Sequence, residues 1–142
     1  MRHIWIAALV SMAFAGARPA IADTVILHAS LTTADEVPPK TGDGKGEATA
    51  TLDTASRRLD YEVTFSGLTG PATMAHFHGP AAPGANAGVQ LPLGMNPTSP
   101  IKGDATLTEA QAADLVGGKM YVNVHTAANP GGEIRGQLTR TP

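Results

Sequence analysis

Residues 121–138, YVNVHTAANPGGEIRGQL, read as two β-strands joined by a turn at Pro130–Gly132. The side chains of a strand alternate between the two faces of a sheet. Val122 and Val124 therefore share one apolar face, and His125 lies on the opposite face. The alternation continues after the turn, so the second strand also has one apolar and one polar face.

An equivalent alternation lies upstream, in residues 73–78, TMAHFH. Ala75 and Phe77 share one face of this segment, so His76 and His78 share the other. If the apolar faces of both segments meet in a core, four polar side chains lie on the exterior of the domain. They are His76, His78, His125 and Arg135.

Glycine and proline divide the rest of the chain into short segments. The 142 residues include 16 Gly and 11 Pro, and turn signals separate runs with β-branched or alternating residues. This punctuation predicts an all-β domain, an antiparallel Greek-key β-sandwich or barrel. We expect strands at residues 24–31, 46–52, 58–65, 73–78, 89–93, 101–107, 119–125 and 133–140.

One short helix and one long irregular stretch complete the predicted domain. Thr108 and Gln111 form a capping box ahead of the helix-forming run AADLV, and Gly117 ends the helix. Residues 79–100 are rich in Pro, Gly, Ala and Asn. We expect them to form a surface loop around one short strand.

The segment Met1–Ala22 has the features of a secretory signal peptide. Arg2 precedes an apolar run at residues 4–14, and Ala20–Ala22 is a small-x-small cleavage site. The run is shorter than the roughly 20 apolar residues that span a bilayer. We therefore expect removal of this segment and export to the periplasm or the external medium. The product would be one domain over residues 23–142, without a membrane span.

The composition excludes several kinds of chemistry. The chain has no cysteine, so it can form no disulfide and no thiolate metal site. Its formal net charge of −2 gives no electrostatic signature of a nucleic-acid partner. The sequence also lacks a Gly-x-Ser-x-Gly nucleophile motif and a phosphate-binding loop.

The histidines are the residues best suited to carry chemistry. Positions i and i+2 on one strand face are about 6.5–7 Å apart, so His76 and His78 can converge on one ion. His125, from another strand, would complete a site of three imidazole nitrogens, which suits copper, zinc, iron and nickel. Alternatively, the pair is exposed or pins the turn that follows it. His28, in the first strand, is interpreted as an ordinary strand residue.

Other side chains could complete or surround such a site. Met74 continues the histidine face and would add a thioether that favours Cu(I), and Met95 in the long loop is a candidate gating or axial ligand. A ligating histidine usually donates its second N–H to an oxygen. We expect Asn123, Glu133 or Arg135 to orient the ligating histidines from outside the set of ligands. For Arg135 the alternative is an ion pair with a neighbouring carboxylate such as Glu133.

Four segments have a distinctive combined pattern. They are EVPP at 36–39, AHFHGPA at 75–81, YVNVHT at 121–126 and NPGGEIRGQL at 129–138. Together they resemble the CHRD domain, a module named after chordin, and the likeness extends from about Val25 to Leu138. The resemblance implies a domain common in exported bacterial proteins, and it leaves the activity open.

The order of the polar residues is also similar to that of copper–zinc superoxide dismutases. These Greek-key barrels carry a His-x-His strand, a later Val-His strand end and an arginine beside the copper. The matching residues, in order, are His76, His78, His125 and Arg135. This resemblance implies a superoxide-dismutase-like barrel, with an immunoglobulin-like sandwich as the alternative. The chain lacks the histidine-rich loop and cysteine pair of those enzymes, so three imidazoles fit copper binding better than redox cycling.

The sequence therefore predicts an exported protein that binds one transition-metal ion, copper, through His76, His78 and His125. Its role would be metal binding, buffering or delivery, with the metal ion and another exported protein as partners. Catalysis is left open, and a non-catalytic role is favoured. Two alternatives remain: a protein- or surface-interaction module without metal, and a dismutase-like copper enzyme with an open coordination position.

Overall fold

The protein was analysed as a computed structural model, which describes residues 23–142. The predicted signal peptide, Met1–Ala22, lies outside the described residues. Within the described range the chain forms nine strands and one helix. Strands β1 to β6 are Thr24–Thr32, Lys45–Asp53, Arg58–Ser66, Ala72–His78, Val89–Met95 and Ile101–Thr106. The helix α1, Glu109–Val116, precedes β7 (Tyr121–Thr126), β8 (Ile134–Gln137) and β9 (Thr139–Arg140).

These strands form one antiparallel sheet in the order β5-β4-β7-β8-β1-β2-β3-β6, with β9 added to β1. The end strands β5 and β6 follow one another in the chain, and the sheet curls into a nearly closed barrel. Strand β7 returns to lie beside β4 after β5, β6 and α1, a Greek-key type of connection. The predicted all-β antiparallel fold with one short helix is therefore confirmed.

The helix begins where the capping box predicts. Thr108 Oγ1 accepts a hydrogen bond from the Gln111 N–H at 3.2 Å, and the Gln111 side chain accepts one from the Thr108 N–H at 2.9 Å. These two bonds satisfy backbone donors that the first helical turn leaves free. The Gly117 N–H donates to the carbonyl of Ala113 and closes the last turn.

The final predicted strand, residues 133–140, is in fact two strands separated by Leu138. The Leu138 N–H donates to the carbonyl oxygen of Met120 at 2.9 Å. Strand β8 pairs with β7 and, at its start, with the end of β1, whereas β9 pairs with the middle of β1. Because Leu138 is fully buried, the interruption places its side chain in the core.

The core lies on the face that the alternation predicts. Phe77, Val122 and Val124 are fully buried, and the Phe77 ring meets the edge of Tyr61 at 5.4 Å between centroids. Strand β1 contributes every second residue to the same core: Val25, Leu27, Ala29 and Leu31. The polar faces of β4, β7 and β8 consequently point to the other side of the sheet.

Gly136 allows β8 to approach β1 closely. A Cβ atom at this position would overlap the carbonyl oxygen of Ser30 and lie 3.2 Å from Ala29 Cβ. We therefore expect Gly136→Ala to lower the free energy of unfolding by roughly 1–3 kcal/mol in urea denaturation. Gly131→Ala is the control, because nothing lies within 4 Å of the added Cβ; its effect should stay below about 0.5 kcal/mol. Equal effects of the two substitutions would contradict this account.

Candidate metal centre

Three histidines meet on the outer face of the sheet, where β4 lies beside β7. His76 and His78 come from β4, and His125 comes from β7. One nitrogen of each ring lies within 4.8 Å of the other two. His76 Nδ1 and His125 Nε2 are 3.0 Å apart. The structure thus brings together the three residues that the sequence singled out as ligands.

The register between β4 and β7 explains this convergence. His76 is paired with Asn123 and Met74 with His125, so His125 is the diagonal neighbour of His76. Diagonal neighbours in an antiparallel pair are about 7–8 Å apart at Cα, which is within reach of aromatic side chains. The ladder is regular from Met74 to His78, and its register shifts only between Ala72 and Met74, so the imidazoles approach one another across regularly paired residues.

Two backbone carbonyls orient the buried rings. His78 Nδ1 lies 3.0 Å from the Ala87 oxygen, and His125 Nδ1 lies 2.9 Å from the Pro130 oxygen. With the proton held on Nδ1, each ring directs its Nε2 lone pair into the cluster. That of His125 accepts a hydrogen bond from His76 Nδ1 at 3.0 Å, which a bound ion would replace. The sequence contained no signal for Ala87 or Pro130, because a backbone carbonyl is independent of the side chain.

The free nitrogens have the spacing of a ligand set. Two nitrogens that bind one ion at about 2.0–2.1 Å lie about 3–4 Å apart. The 3.0 Å between His76 Nδ1 and His125 Nε2 already fits, and all three ligand nitrogens lie within 4.8 Å of one another. His78 Nε2 is buried and makes no hydrogen bond of good geometry among the described residues, with the Asn123 side chain as the polar group beside it. Such an atom costs about 1–3 kcal/mol, which a bound ion would relieve.

The expectation that these side chains lie on the exterior is wrong for three of the four. His78, His125 and Arg135 are only 9%, 5% and 2% exposed, and His76 is half-buried. They do lie on the outer face of the sheet, but the loop at 79–88 covers it. Oxygens of this loop pair with His78 and Arg135, so burial leaves few of their polar groups unpaired.

Arg135 holds this loop rather than a carboxylate. Its guanidinium lies 3.5 Å from the centre of the Tyr121 ring. The two terminal nitrogens donate to the Asn86 side chain at 3.1 Å and to the Ala85 carbonyl at 2.7 Å. Stacking on an aromatic ring and fixed hydrogen bonds together allow a guanidinium to be buried. The alternative expectation, an ion pair of Arg135 with Glu133, is not found, and the carboxyl on which the Arg135 charge acts is the buried Glu36, whose pKa it lowers against the effect of burial.

Glu133 instead organises the turn that carries the Pro130 carbonyl. It accepts hydrogen bonds from the Thr69 N–H and hydroxyl, the Thr126 hydroxyl and the Asn129 amide at 2.6–3.1 Å. Burial alone would raise the pKa of Glu133, but these hydrogen bonds outweigh it and lower the pKa. Glu133 therefore acts on His125 only through the turn, and not by a direct contact.

The three imidazoles are neutral at pH 7. Burial, followed by the nearby His125 and His78, lowers the pKa of His76 to about 4. Burial also lowers the pKa of His78 and of His125, although the Ala87 and Pro130 carbonyls oppose it. A metal ion binds neutral imidazole, so the site does not need to lose a net proton first.

Acidification should destabilise the metal-free protein. The unfolded chain binds a proton at His76 near pH 6.5, whereas the folded chain does so only near pH 4. Between these values the unfolded state holds more protons at His76, so the contribution of His76 to the free energy of unfolding falls as the pH is lowered from 6.5 to 4. We expect His76→Gln to flatten this part of the profile, measured by urea denaturation at several pH values.

The comparison with the variant is needed because burial raises the pKa of Glu36. Protonation of Glu36 would favour the folded state over part of the same range, and both proteins share this contribution. Parallel profiles for the native protein and His76→Gln would refute the assignment of a neutral, buried His76.

The family model of the CHRD domain matches residues 27–138, which include all three histidines. The chain therefore belongs to the CHRD-domain family, as its four segments predict. No curated protein and no solved structure gives a significant match. The looser resemblance to copper–zinc superoxide dismutases gains no support from these comparisons. In the part of the chain that the structure describes, no helix has the length and hydrophobicity needed to cross a membrane.

Proposed function

We propose that this CHRD-domain protein is exported and binds one copper ion through His76, His78 and His125, in order to buffer or deliver the metal outside the cytoplasm. The observation that carries the proposal is the cluster itself, in which three ring nitrogens lie within 4.8 Å of one another. Export is supported by the signal-peptide pattern of Met1–Ala22.

The cluster is arranged for binding before an ion arrives. The carbonyls of Ala87 and Pro130 hold two rings with Nε2 directed into the cluster, so little side-chain freedom remains to be lost. The third ring, His76, is the more exposed one and can rotate to close the site. A preformed and neutral donor set binds a cation more tightly than flexible or protonated histidines do.

The donor set favours copper over other cations. It consists of three imidazole nitrogens, with no carboxylate or thiolate in the cluster. Calcium and magnesium prefer oxygen ligands, so they do not suit it. Among the divalent ions that imidazole binds, copper has the highest intrinsic affinity.

The alternative hypotheses fit the geometry less well. An interaction module without metal gives no reason for three histidines to converge beneath a loop. A dismutase-like centre needs a fourth imidazole, and His28 is the remaining described histidine. His28 lies on β1 and pairs with Glu47 at 2.6 Å, outside the cluster.

Replacement of a single ligand should sharply weaken binding. We expect His125→Ala to reduce copper affinity by about 100-fold or more, because two imidazoles remain and the turn loses its contact. His28→Ala is the matched control and should retain the affinity of the native chain. Titration of the full chain with Cu(I) and with Cu(II), against a competing chelator, measures both effects.

Each variant is first tested for cooperative unfolding, so that loss of the fold is not mistaken for loss of a ligand. Stoichiometric copper binding that survives replacement of all three cluster histidines would overturn the proposed function. Loss of binding in His28→Ala would overturn the assignment of the site.

A further inference from the structure

Two methionines extend the histidine cluster toward solvent. Met74 on β4 is the register partner of His125 on β7 and of Met95 on β5. Residues directly opposite in an antiparallel pair share a face, with Cβ atoms about 4.5–5.5 Å apart. Met95, Met74 and His125 therefore form one row of side chains across three neighbouring strands, on the face that carries the cluster.

An irregularity in β5 places Met95 in this row. His76 is paired with Pro92, so a regular ladder would pair Met74 with Gly94 and turn Met95 toward the core. The register instead shifts by one residue, and Met95 lies opposite Met74. Bulges of this kind re-aim side chains, and they are frequent next to functional sites.

The backbone on both sides of Met95 has positive φ angles that fix this arrangement. Gly94 has φ +116° and Asn96 has φ +49°, and the Asn96 N–H donates to the Thr73 carbonyl at 2.8 Å. A non-glycine residue with positive φ is uncommon. The strand end is thus built in a specific conformation, and that conformation presents Met95 on the outer face.

Exposure decreases steadily along the row. Met95 is 73% exposed, Met74 is half-buried and His125 is 5% exposed. A methionine this exposed contributes little to packing, whereas Met120 is fully buried in the core. Packing therefore does not account for a methionine at position 95, whereas its thioether sulfur can bind a metal ion.

We propose that Met95 and Met74 form the entry site through which copper reaches the histidines, and that the ion enters as Cu(I). This inference rests on the proposed copper binding. Thioether sulfur is a soft ligand that selects Cu(I) over divalent ions, and His125 is the next donor in the row. The ion exchanges ligands stepwise from sulfur to nitrogen, and its oxidation state does not change.

Leucine variants separate the thioethers from the imidazoles. Leucine is close to methionine in volume and has no donor atom. We expect the double variant Met74→Leu, Met95→Leu to lower Cu(I) affinity and the rate of Cu(I) uptake by about tenfold or more, with Cu(II) affinity unchanged. Met120→Leu is the control for loss of a sulfur atom in the core, and it should match the native chain in all three measurements.

A spectroscopic test identifies the sulfur atoms directly. In the full chain labelled with ¹³C at the methionine methyl groups, addition of Cu(I) should shift the Met74 and Met95 signals and leave Met120 in place. The double variant assigns the pair of signals from Met74 and Met95, and Met120→Leu assigns the signal of Met120.

Two results would overturn the entry site alone, and a third would overturn it together with the proposed function. If Cu(I) binds in a histidine-dependent manner and neither methyl signal moves, the entry site is wrong and the histidine site stands. If equal uptake rates are found for the double variant and the native chain, the entry site is likewise wrong. Failure of both Cu(I) and Cu(II) to bind the native chain would remove the proposed function together with the entry site.

Discussion

The register between β4 and β7 fixes both the hydrophobic core and the position of the three histidines. It joins Phe77 to Val122 on the core face and places His76 beside Asn123 on the other. A slip of one residue would turn the Val122 face outward and His125 into the core. Burial of apolar side chains therefore enforces the same register that brings the imidazoles together. The hydrophobic core and the candidate metal centre are two faces of one ladder.

A second layer of structure converts this polar face into a site. The loop at 79–88 covers it, and Arg135 fastens that loop through two hydrogen bonds and a stacking contact with Tyr121. The turn stabilised by Glu133 supplies the carbonyl that orients His125. Burial under these loops lowers the imidazole pKa values and keeps the rings neutral. Loop packing, and not the sheet alone, thus determines the chemistry of the histidines.

Much of this arrangement could be predicted from local patterns in the amino-acid sequence. Alternation assigned His76 and His125 to a face opposite the core, and the capping box located the helix, because both depend on neighbouring residues alone. The Greek-key return of the chain places β7 beside β4, and no local sequence pattern predicts this pairing. Burial of Arg135 was missed because its hydrogen-bond partners, the Asn86 side chain and the Ala85 carbonyl, belong to a loop distant in sequence. The register shift that exposes Met95 was missed for a similar reason, since it is a property of two strands together.

The central claim is that one copper ion is bound jointly by the three imidazoles. The most direct measurement is a crystal structure of the copper-loaded protein with anomalous diffraction at the copper edge. An ion bound jointly by the three rings gives a single strong peak about 2.0–2.1 Å from one ring nitrogen each of His76, His78 and His125. A peak elsewhere on the chain, or a peak that leaves His78 Nε2 without a metal bond, would contradict it.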